Sequence, residues 1–409
     1  MSRLRVAIIG AGGAGLCAAR HVLSRPKIFA PPVVFEQTKS VGGTWVYKEQ
    51  VNSYGNGITN IPKEVMSFPD FPFEKHLPSF VHHTEVRKYL EKYCDHFKMR
   101  NHIKFETTVD AVVPVRVENG WNRLAWDVTT SDGNDPSPSV ESRFDAVMVC
   151  NGLVHKCIYL NVHGKYCISM WISIWYPGTV IHSHNYRSAE PYAGKSVVLL
   201  GAGLSGLDIA MELSQVNAKV GDTEIRDDHT LSSVKQRSPR LKRTSQKTTE
   251  ECTEKVPLHG QKPLIGPLPP GVQQSPPVSK VLDDGTLEFQ DGSHARPDVF
   301  LFCTGYNFTF PFLDKQVGLK VKEHLVSPLY KFLIPPVFPS LFIVGVCRAI
   351  CPFPHFHIQV RHLHPWESSF KSFCTCICII NSLVNVLCIQ YFSFLFVFFH
   401  FPAVVFVCS

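Results

Sequence analysis

Short apolar runs recur along this chain, and most of them end at a glycine. Runs of this kind are typical of strands that are buried within a sheet. They predict strands at Val6–Ile9, at Val33–Phe35 and over residues 195–200, 298–303 and 341–344.

Two further periodicities complete the pattern. Alternation of apolar and polar residues predicts strands over residues 103–109, 112–117, 126–130 and 144–150. Apolar residues at helical spacing predict helices over residues 16–23, 84–97 and 207–213, with Thr84 as the N-cap of the second. Together these elements indicate an α/β protein.

A glycine motif follows the first predicted strand. Gly10, Gly12 and Gly15 have G-x-G-x-x-G spacing, and Glu36 ends the second strand about twenty residues later. The first glycine permits the tight turn, the second lets the backbone approach a pyrophosphate, and the third lets the helix pack on the strand. The amides at the helix start then face the phosphates, and the acidic residue binds a ribose hydroxyl. This context predicts a dinucleotide site.

The same N-terminal stretch resembles a secretory signal in one respect. Arg3 and Arg5 precede an apolar run that is rich in small residues. Four glycines within that run, and Glu36 at the distance that the dinucleotide motif needs, argue against a signal peptide.

A second glycine motif begins after the strand predicted over residues 195–200. It comprises Gly201, Gly203 and Gly206, again between a strand and a helix. Two motifs of this kind indicate either two bound dinucleotides or a duplicated unit that has lost one site, and we favour two dinucleotides.

Composition narrows the function classes. The chain has 409 residues, of which 44% are hydrophobic and 18% charged, so it is a globular protein of two or three domains. The net charge of +7 is spread out along the chain. The sequence shows no basic face with interleaved aromatic residues, so nucleic acid is not a favoured partner. There are fourteen cysteines but no C-x-x-C motif, which argues against a dithiol redox enzyme.

Several segments give no regular element. Pro62, Pro69 and Pro72 exclude a continuous helix and predict a long irregular excursion that shapes a site. No element is predicted over residues 157–175. Residues 221–257 are polar and charged, which predicts a solvated loop, with a targeting signal or a phosphate contact as alternatives.

The C-terminal segment changes character. Residues 383–407 are almost wholly apolar, and no charged side chain follows Lys371. This length can span a bilayer, with Arg361 and Lys371 on the cytoplasmic side. The alternative is that the tail is not an evolved part of the protein, and the sequence favours neither.

Three further motifs resemble those of the flavin-containing monooxygenases. The first is Tyr176-x-Gly178-x-x-x-His182-x-x-x-Tyr186-Arg187-x-x-x-Pro191, which is similar to the fingerprint of that family. The second is Phe302-Cys303-Thr304-Gly305-Tyr306, and the third is Thr59-Asn60-x-Pro62-Lys63-Glu64-x-Met66. The resemblance covers residues 3–153, 175–220 and 257–361, and it looks closest to the soluble, S-oxygenating branch.

The resemblance implies two Rossmann-like dinucleotide-binding domains, with the NADP domain inserted into the FAD domain. The FAD domain would comprise residues 1–155 and 298–361, and the NADP domain residues 156–297 with a divergent insertion at about 222–256. Residues 362–409 would form the apolar tail.

The resemblance also implies the cofactor residues. FAD would bind at one group of residues: Gly10, Gly12, Gly15, Glu36, Gly42, Gly43, Thr44 and Trp45. NADPH would bind at Gly201, Gly203 and Gly206, and Thr304 and Gly305 would also contact a cofactor.

The implied activity is that of an NADPH-dependent enzyme of the N,N-dimethylaniline monooxygenase type. Molecular oxygen would add to the reduced flavin, and the C4a-hydroperoxide would oxygenate nitrogen or sulfur in a small amine or sulfide. Asn60 is the candidate catalytic residue, because a neutral amide can hydrogen-bond this adduct without protonating it; the alternative is turn chemistry before Pro62. The protein would be cytoplasmic, or associated with a membrane through its tail.

Three departures from the family pattern leave other functions open. Residues 157–175 differ from the family's connection between domains, and the family-like sequence stops after Arg361, before the closing helix of the FAD domain. No residue is assigned to the 2′-phosphate of NADPH, because Asp227 and Asp228 oppose such a role for Arg226. The alternatives are a catalytically impaired flavoprotein remnant and a Baeyer–Villiger oxygenase.

Four histidines stand close together near the end of the family-like sequence: His355, His357, His362 and His364. Their spacing suits no common metal site, and no carboxylate or thiolate is arranged with them along the chain. The sequence therefore predicts no metal site.

Overall fold

The computed structural model describes residues 3–46, 58–117, 123–133, 139–152, 156–158, 176–201, 203–216, 219–223, 271–282, 284–322, 325–346, 351–361 and 406–407. The helices are α1 (Gly13–Leu23), α2 (Lys63–Met66), α3 (His83–His96), α4 (Leu204–Gln215) and α5 (Pro352–Arg361). The strands are β1 (Val6–Ile9), β2 (Val33–Phe35), β3 (Ile103–Lys104), β4 (Thr107–Val117), β5 (Arg123–Asp132), β6 (Val140–Phe144), β7 (Ala146–Val149), β8 (Lys156–Cys157), β9 (Thr179–His182), β10 (Ser196–Leu200), β11 (Lys219–Thr223), β12 (Val272–Ser275), β13 (Val278–Val281), β14 (Leu287–Phe289), β15 (His294–Ala295), β16 (Val299–Phe302), β17 (Tyr306–Asn307), β18 (Lys320–Lys322), β19 (Leu325–Ser327), β20 (Leu341–Ile343) and β21 (Phe406–Val407).

A parallel sheet of five strands carries the first glycine motif. Its order is β20-β7-β1-β2-β3, and every pairing in it is parallel. All residues of β1, β7 and β20 are buried. Strands that are covered on both faces need apolar side chains on both faces, which explains why these segments read as continuous apolar runs.

A second sheet repeats this arrangement around β10. Its order is β11-β12-β21-β10-β16-β9, and β10 pairs in parallel with both β11 and β16. The two-residue strand β21 pairs in the antiparallel direction. The other five strands occur in sequence between β7 and β20, so the second unit is inserted into the first. This confirms the predicted fold class of two Rossmann-like units, one within the other.

The predicted domain limits remain a prediction, but sheet membership bears on one of them. Strand β16 follows residue 297, where the second part of the FAD domain was expected to begin. It is hydrogen-bonded into the second sheet, next to β10 and β9. A limit drawn by sheet membership therefore falls after Phe302.

A separate antiparallel sheet covers the first one. Strands β4, β5 and β6 form it, and Val112, Trp126 and Phe144 pack with Ala7 and Val147 of the parallel sheet in one buried cluster. The indole nitrogen of Trp126 donates a hydrogen bond to Ser340 Oγ at 2.8 Å. This layer closes the side of the first unit that α1 does not cover.

Several local predictions need correction. The strand predicted over residues 103–109 is interrupted, because Glu106 has a φ of +52° and turns the chain between β3 and β4. Helix α3 begins one residue earlier than predicted, and its N-cap is His82 rather than Thr84, since the His82 side chain accepts a hydrogen bond from the amide of Thr84. Strand β11 extends into the segment that was predicted to be a polar loop.

Other predictions lie outside the described residues. They concern residues 159–175, residues 224–257 with Arg226, and the apolar tail apart from its two-residue strand β21. Within the described part of the chain, no helix has both the length and the apolar character needed to cross a membrane.

Candidate functional site

The first glycine motif forms a turn between β1 and α1 that only glycine can build. Gly10 has a φ of +103°, and a Cβ atom on it would lie 2.7 Å from the carbonyl oxygen of Cys150. A Cβ on Gly15 would lie 1.8 Å from the carbonyl oxygen of Gly10. Both contacts are with backbone, which cannot yield, so these two glycines bring α1 directly onto the strand. Gly12 differs, because its backbone is extended and a Cβ atom on it would come no closer than 3.5 Å to its nearest neighbour, Gly43 Cα.

The segment from Gly42 to Trp45 lies against this turn. The Gly42 amide donates a hydrogen bond to the Ala11 carbonyl at 3.1 Å. Thr44 is exposed, and Trp45 is half-buried against the core that includes α1. The structure therefore brings the two predicted glycine segments together at the start of the helix.

Glu36 directly follows β2 beside the same turn, and it is 6% exposed. Its Oε2 accepts a hydrogen bond from the Ala11 amide at 2.8 Å, and its Oε1 accepts one from the Thr38 amide at 2.9 Å. An ionised carboxylate has about four acceptor positions, so two remain for hydroxyl groups of a ligand. Glu36 thus shapes the turn as well as offering acceptors to it.

The start of α1 suits an anion. Gly12 is its N-cap and provides no side-chain hydrogen bond, and the first turn contains no acidic residue. The positive end of the helix dipole is therefore not neutralised by the protein side chains there.

The second glycine motif repeats this geometry. Gly201 has a φ of +107°, and a Cβ on it would lie 2.7 Å from the carbonyl oxygen of Cys303. A Cβ on Gly206 would lie 2.2 Å from the carbonyl oxygen of Gly201. No described atom lies within 4 Å of a Cβ on Gly203. The two turns correspond position by position, and a buried cysteine follows the neighbouring strand in each unit.

Two complete glycine turns of this geometry in one chain point to a protein that binds two dinucleotides, and comparison with known families agrees. Residues 3–237, more than half of the chain, match the family described as flavin-binding monooxygenase-like. The chain belongs to this family. Residues 161–345 also match the family described as pyridine nucleotide-disulphide oxidoreductase.

Individual relatives of this monooxygenase are named flavin-containing monooxygenases. FMO GS-OX-like 7 of Arabidopsis thaliana is 32% identical over 87% of this chain and 71% of its own length. FMO GS-OX-like 2 of the same plant is 33% identical over 87% of this chain and 72% of its own. The solved structure of S-allyl-L-cysteine S-oxygenase from Allium sativum is 28% identical, covers 94% of this chain and 83% of that one, and gives a TM-score of 0.69. The predicted family and enzyme class are confirmed. Membership of this family implies the use of a flavin, a pyridine nucleotide, oxygen and small-molecule substrates.

The fingerprint of the monooxygenase packs against its Phe-x-Thr-Gly-Tyr motif. His182 ends β9 opposite Phe302 of β16, and its ring meets the edge of the Tyr306 ring at a centroid distance of 5.2 Å. Its Nδ1 accepts a hydrogen bond from the His184 amide at 3.0 Å. Burial, and then the neighbouring His184 ring, lower the pKa of His182 to about 4. A neutral His182 therefore joins two motifs that are more than a hundred residues apart in sequence.

Thr304 and Gly305 lie where the chain crosses between the two units. The Thr304 hydroxyl donates a hydrogen bond to the carbonyl of Ile158, and the Ile158 amide donates one to the Gly305 carbonyl at 2.9 Å. Strand β8 then pairs with β17. The Thr304 amide lies 3.4 Å from a Cβ built on Gly201, so this crossing point borders the second glycine turn.

Asn60 lies on the irregular excursion and is half-buried. Its neighbour Thr59 is buried and pairs with Val81: the Thr59 amide donates to the Val81 carbonyl at 2.9 Å, and the Val81 amide donates to Thr59 Oγ1 at 3.1 Å. Lys63 is also buried, and its ammonium group donates hydrogen bonds to three backbone carbonyls, those of Glu74, Lys75 and Leu77. These contacts fix the position of Asn60 from both sides.

Helix α5 is the site element that the sequence did not predict. Phe353 is 1% exposed and stacks on Phe68 at a centroid distance of 4.8 Å, with an interplanar angle of 17°. The Gln359 side chain accepts a hydrogen bond from the Gly345 amide at 2.9 Å and donates one to the Phe332 carbonyl at 3.3 Å. One sequence signal existed for this contact. Gly13 stands at a position where the glycine motif requires no glycine, and a Cβ there would lie 2.7 Å from the Phe353 ring.

Proposed function

We propose that this monooxygenase binds FAD at the first glycine turn and NADPH at the second, and that it oxygenates sulfur or nitrogen in small sulfides and amines. The observation that carries the proposal is the duplicated turn. Both turns have the backbone contacts that bring a helix start onto a strand end, which is the arrangement that receives a pyrophosphate.

Glu36 supports the assignment of FAD to the first turn. A buried carboxylate with unused acceptor positions next to Ala11 suits the hydroxyls of a ribose. Gly42, Gly43, Thr44 and Trp45 would line the same cofactor. Gly12 would allow the pyrophosphate to approach, since its neighbour Gly43 also lacks a side chain.

The second turn suits NADPH because it is exposed at the position that contacts phosphate. Gly203 is exposed and has no described neighbour in the direction of its absent side chain. Thr304 and Gly305 would form the adjoining edge of the site. The 2′-phosphate contact is not assigned, and Arg226 lies outside the described residues.

Bound flavin supplies hydride acceptance and oxygen activation. The chain positions that group and excludes water from it. We assign Asn60 as the residue that donates a hydrogen bond at the oxygen-reacting edge of the flavin ring, because its amide cannot act as an acid at neutral pH. Thr59 and Lys63 hold the backbone on either side of it.

A sulfide is the first substrate class to test. One similar structure is that of an S-oxygenase, and a thioether is a soft nucleophile that needs no deprotonation before it reacts. The purified full chain should carry a visible flavin band that bleaches with NADPH under nitrogen. With a thioether and ¹⁸O₂, mass spectrometry should find a sulfoxide that contains one labelled oxygen atom. Colourless protein after reconstitution with FAD would contradict the proposal and support a catalytically impaired remnant.

The role of Asn60 has its own test. Asn60→Ala should retain FAD and consume NADPH, since hydride transfer precedes the reaction with oxygen. It should release hydrogen peroxide in place of product, because losing one hydrogen bond to a polarised group costs about 1.5–3 kcal/mol, a factor of roughly ten to a hundred in partitioning. Asn101→Ala, at an exposed asparagine, is the matched control. Tight coupling of NADPH use to product in Asn60→Ala would leave Asn60 as a turn residue.

A further inference from the structure

We propose that Cys17, His21 and His357 form a zinc site that joins α1 to α5. Each residue offers one ligand atom, and the Sγ of Cys17 and one ring nitrogen of each histidine all lie within 4.8 Å of one another. The proposal is independent of the cofactor assignments.

The two histidines already have the separation that tetrahedral zinc requires. His21 Nε2 lies 3.4 Å from His357 Nδ1. Zinc–nitrogen bonds of about 2.0–2.1 Å at the tetrahedral angle place two nitrogens about 3.4 Å apart. A sulfur at about 2.3 Å from the metal lies about 3.6 Å from each nitrogen, so Cys17 reaches the site by closing a gap of at most about 1.2 Å.

The position of the ligands on the helices explains this geometry. Cys17 and His21 are four residues apart on α1, so their side chains lie one turn apart on the same face. His357 comes from α5, which packs along that face. Along the sequence, His357 stands 336 residues from His21, so the spacing of the neighbouring histidines gave no indication of these partners.

Asp70 borders the site and supplies a negative charge. Its Oδ1 lies 3.9 Å from His357 Nδ1, and its Oδ2 lies 2.7 Å from Arg20 Nε. The ion pair with Arg20 fixes the carboxylate, as outer partners of metal ligands commonly do. Asp70 can therefore hydrogen-bond a water at the fourth position of the metal.

A surface cleft of about 480 Å³ adjoins the cluster and gives an ion access to it. His21, His357 and Asp70 line this cleft, together with Arg20, Arg25 and Arg361. Three guanidinium groups oppose a cation. The Asp70 carboxylate offsets one of them. Burial raises the pKa of the Cys17 thiol, so Cys17 would add a second negative charge only on losing its proton to the metal. Thiolate with imidazole is a ligand set that favours zinc over magnesium or calcium. Cys17 and His21 are buried, so the ion would be shielded from water on the helix side.

The experiment uses the full chain with Cys374, Cys376 and Cys378 changed to serine, because a C-x-C-x-C run in the tail can bind zinc by itself. Zinc is titrated into chelator-treated protein against a chromophoric chelator. We expect one zinc per chain with micromolar affinity or tighter, and a rise in Tm when zinc is added. Co²⁺ in place of zinc should give a thiolate-to-metal charge-transfer band.

Single variants identify the ligands. Cys17→Ala, His21→Gln and His357→Gln should each weaken zinc binding at least about 100-fold, since loss of an outer partner alone costs 10–100-fold. His355→Gln, two residues before His357 on the same helix, should bind zinc and gain Tm like the parent chain. Binding that is unchanged in Cys17→Ala and His357→Gln would overturn the proposal. So would the absence of a charge-transfer band with Co²⁺ in the parent, which does not depend on any variant folding.

Discussion

The ring of Phe353 packs directly on the backbone of Gly13: a Cβ atom on Gly13 would lie 2.7 Å from Phe353 Cε1. Gly13 is the first residue of α1, and Phe353 belongs to α5, at the other end of the chain. The last described helix of the monooxygenase thus rests on the start of the helix that faces the proposed FAD phosphates.

This contact gives the first prediction. Gly13→Ala should lower the free energy of unfolding by about 1–3 kcal/mol, because the added methyl overpacks the Phe353 ring. In a Phe353→Leu background the same substitution should cost little or even stabilise, since alanine is the better helix former by about 1 kcal/mol. Urea unfolding of the four proteins in the double-mutant cycle measures the coupling. An equal cost in both backgrounds would show that the two residues do not interact.

Glu36 gives the second prediction. Glu36→Gln keeps the size of the side chain but replaces one acceptor with a donor, so either the Ala11 or the Thr38 amide loses its partner. A buried amide without a partner costs about 1–3 kcal/mol. We expect this loss in the apo protein, together with weaker FAD binding. Glu91→Gln, which removes a half-exposed ion pair with Arg87 within one helix, should change stability by less than about 1 kcal/mol.

The second glycine turn separates folding from binding. Gly206→Ala should destabilise the protein by about 3 kcal/mol or more, because its methyl would lie 2.2 Å from a backbone oxygen. Gly203→Val should cost less than about 1 kcal/mol, since its backbone is extended and its Cβ meets open space.

Binding then distinguishes the two turns. Gly203→Val should yield a yellow protein that NADPH fails to reduce, whereas Gly12→Val at the first turn should lose FAD. Anaerobic stopped-flow absorbance measures both effects. Equal loss of flavin in Gly12→Val and Gly203→Val would refute the assignment of two different cofactors.

His182 predicts a dependence of stability on pH. Its pKa is lowered from 6.5 to about 4 in the folded protein, mainly by burial. Between these two values the unfolded chain binds a proton that the folded chain does not. The stability that the neutral His182 contributes is therefore fully present above pH 6.5. It is lost as the pH falls towards 4, and the free energy of unfolding decreases by at most about 3 kcal/mol.

A variant isolates this contribution from those of other groups. His182→Asn retains an acceptor for the His184 amide but does not titrate. The difference in unfolding free energy between parent and variant should shift in favour of the variant as the pH falls from 7 to 4.5. Parallel pH profiles for the two proteins would exclude His182 as the group responsible.

The two glycine turns illustrate what local spacing can reveal. Gly10 and Gly15 must lack side chains because of atoms at most five residues away or on the adjacent strand, and the same holds for Gly201 and Gly206. A turn of this kind has a fixed residue spacing, so it can be predicted from the sequence. The buried strands can also be predicted from their apolar runs, since a strand that is buried on both faces has no polar position.

The sequence predicts an element boundary wrongly where the residues next to it along the chain do not determine the local structure. The break after β3 depends on a positive φ at Glu106, a residue type that gives no sign of it. The cap of α3 depends on the ring orientation of His82. Helix α5 has only a weak amphipathic pattern in its sequence, and its packing depends on Gly13, which lies more than three hundred residues earlier in the chain.

The sequence by itself determined the fold class, the two glycine turns, the acid at the end of β2 and the family of the protein, because each depends on short-range spacing. Only the tertiary structure decided which remote side chains meet. In the folded protein Phe353 packs on Gly13 and His182 contacts Tyr306. His357 lies beside His21 and Cys17. Such contacts form when separate elements pack their apolar faces together, and the polar groups that become neighbours in this way leave no periodic trace along the chain.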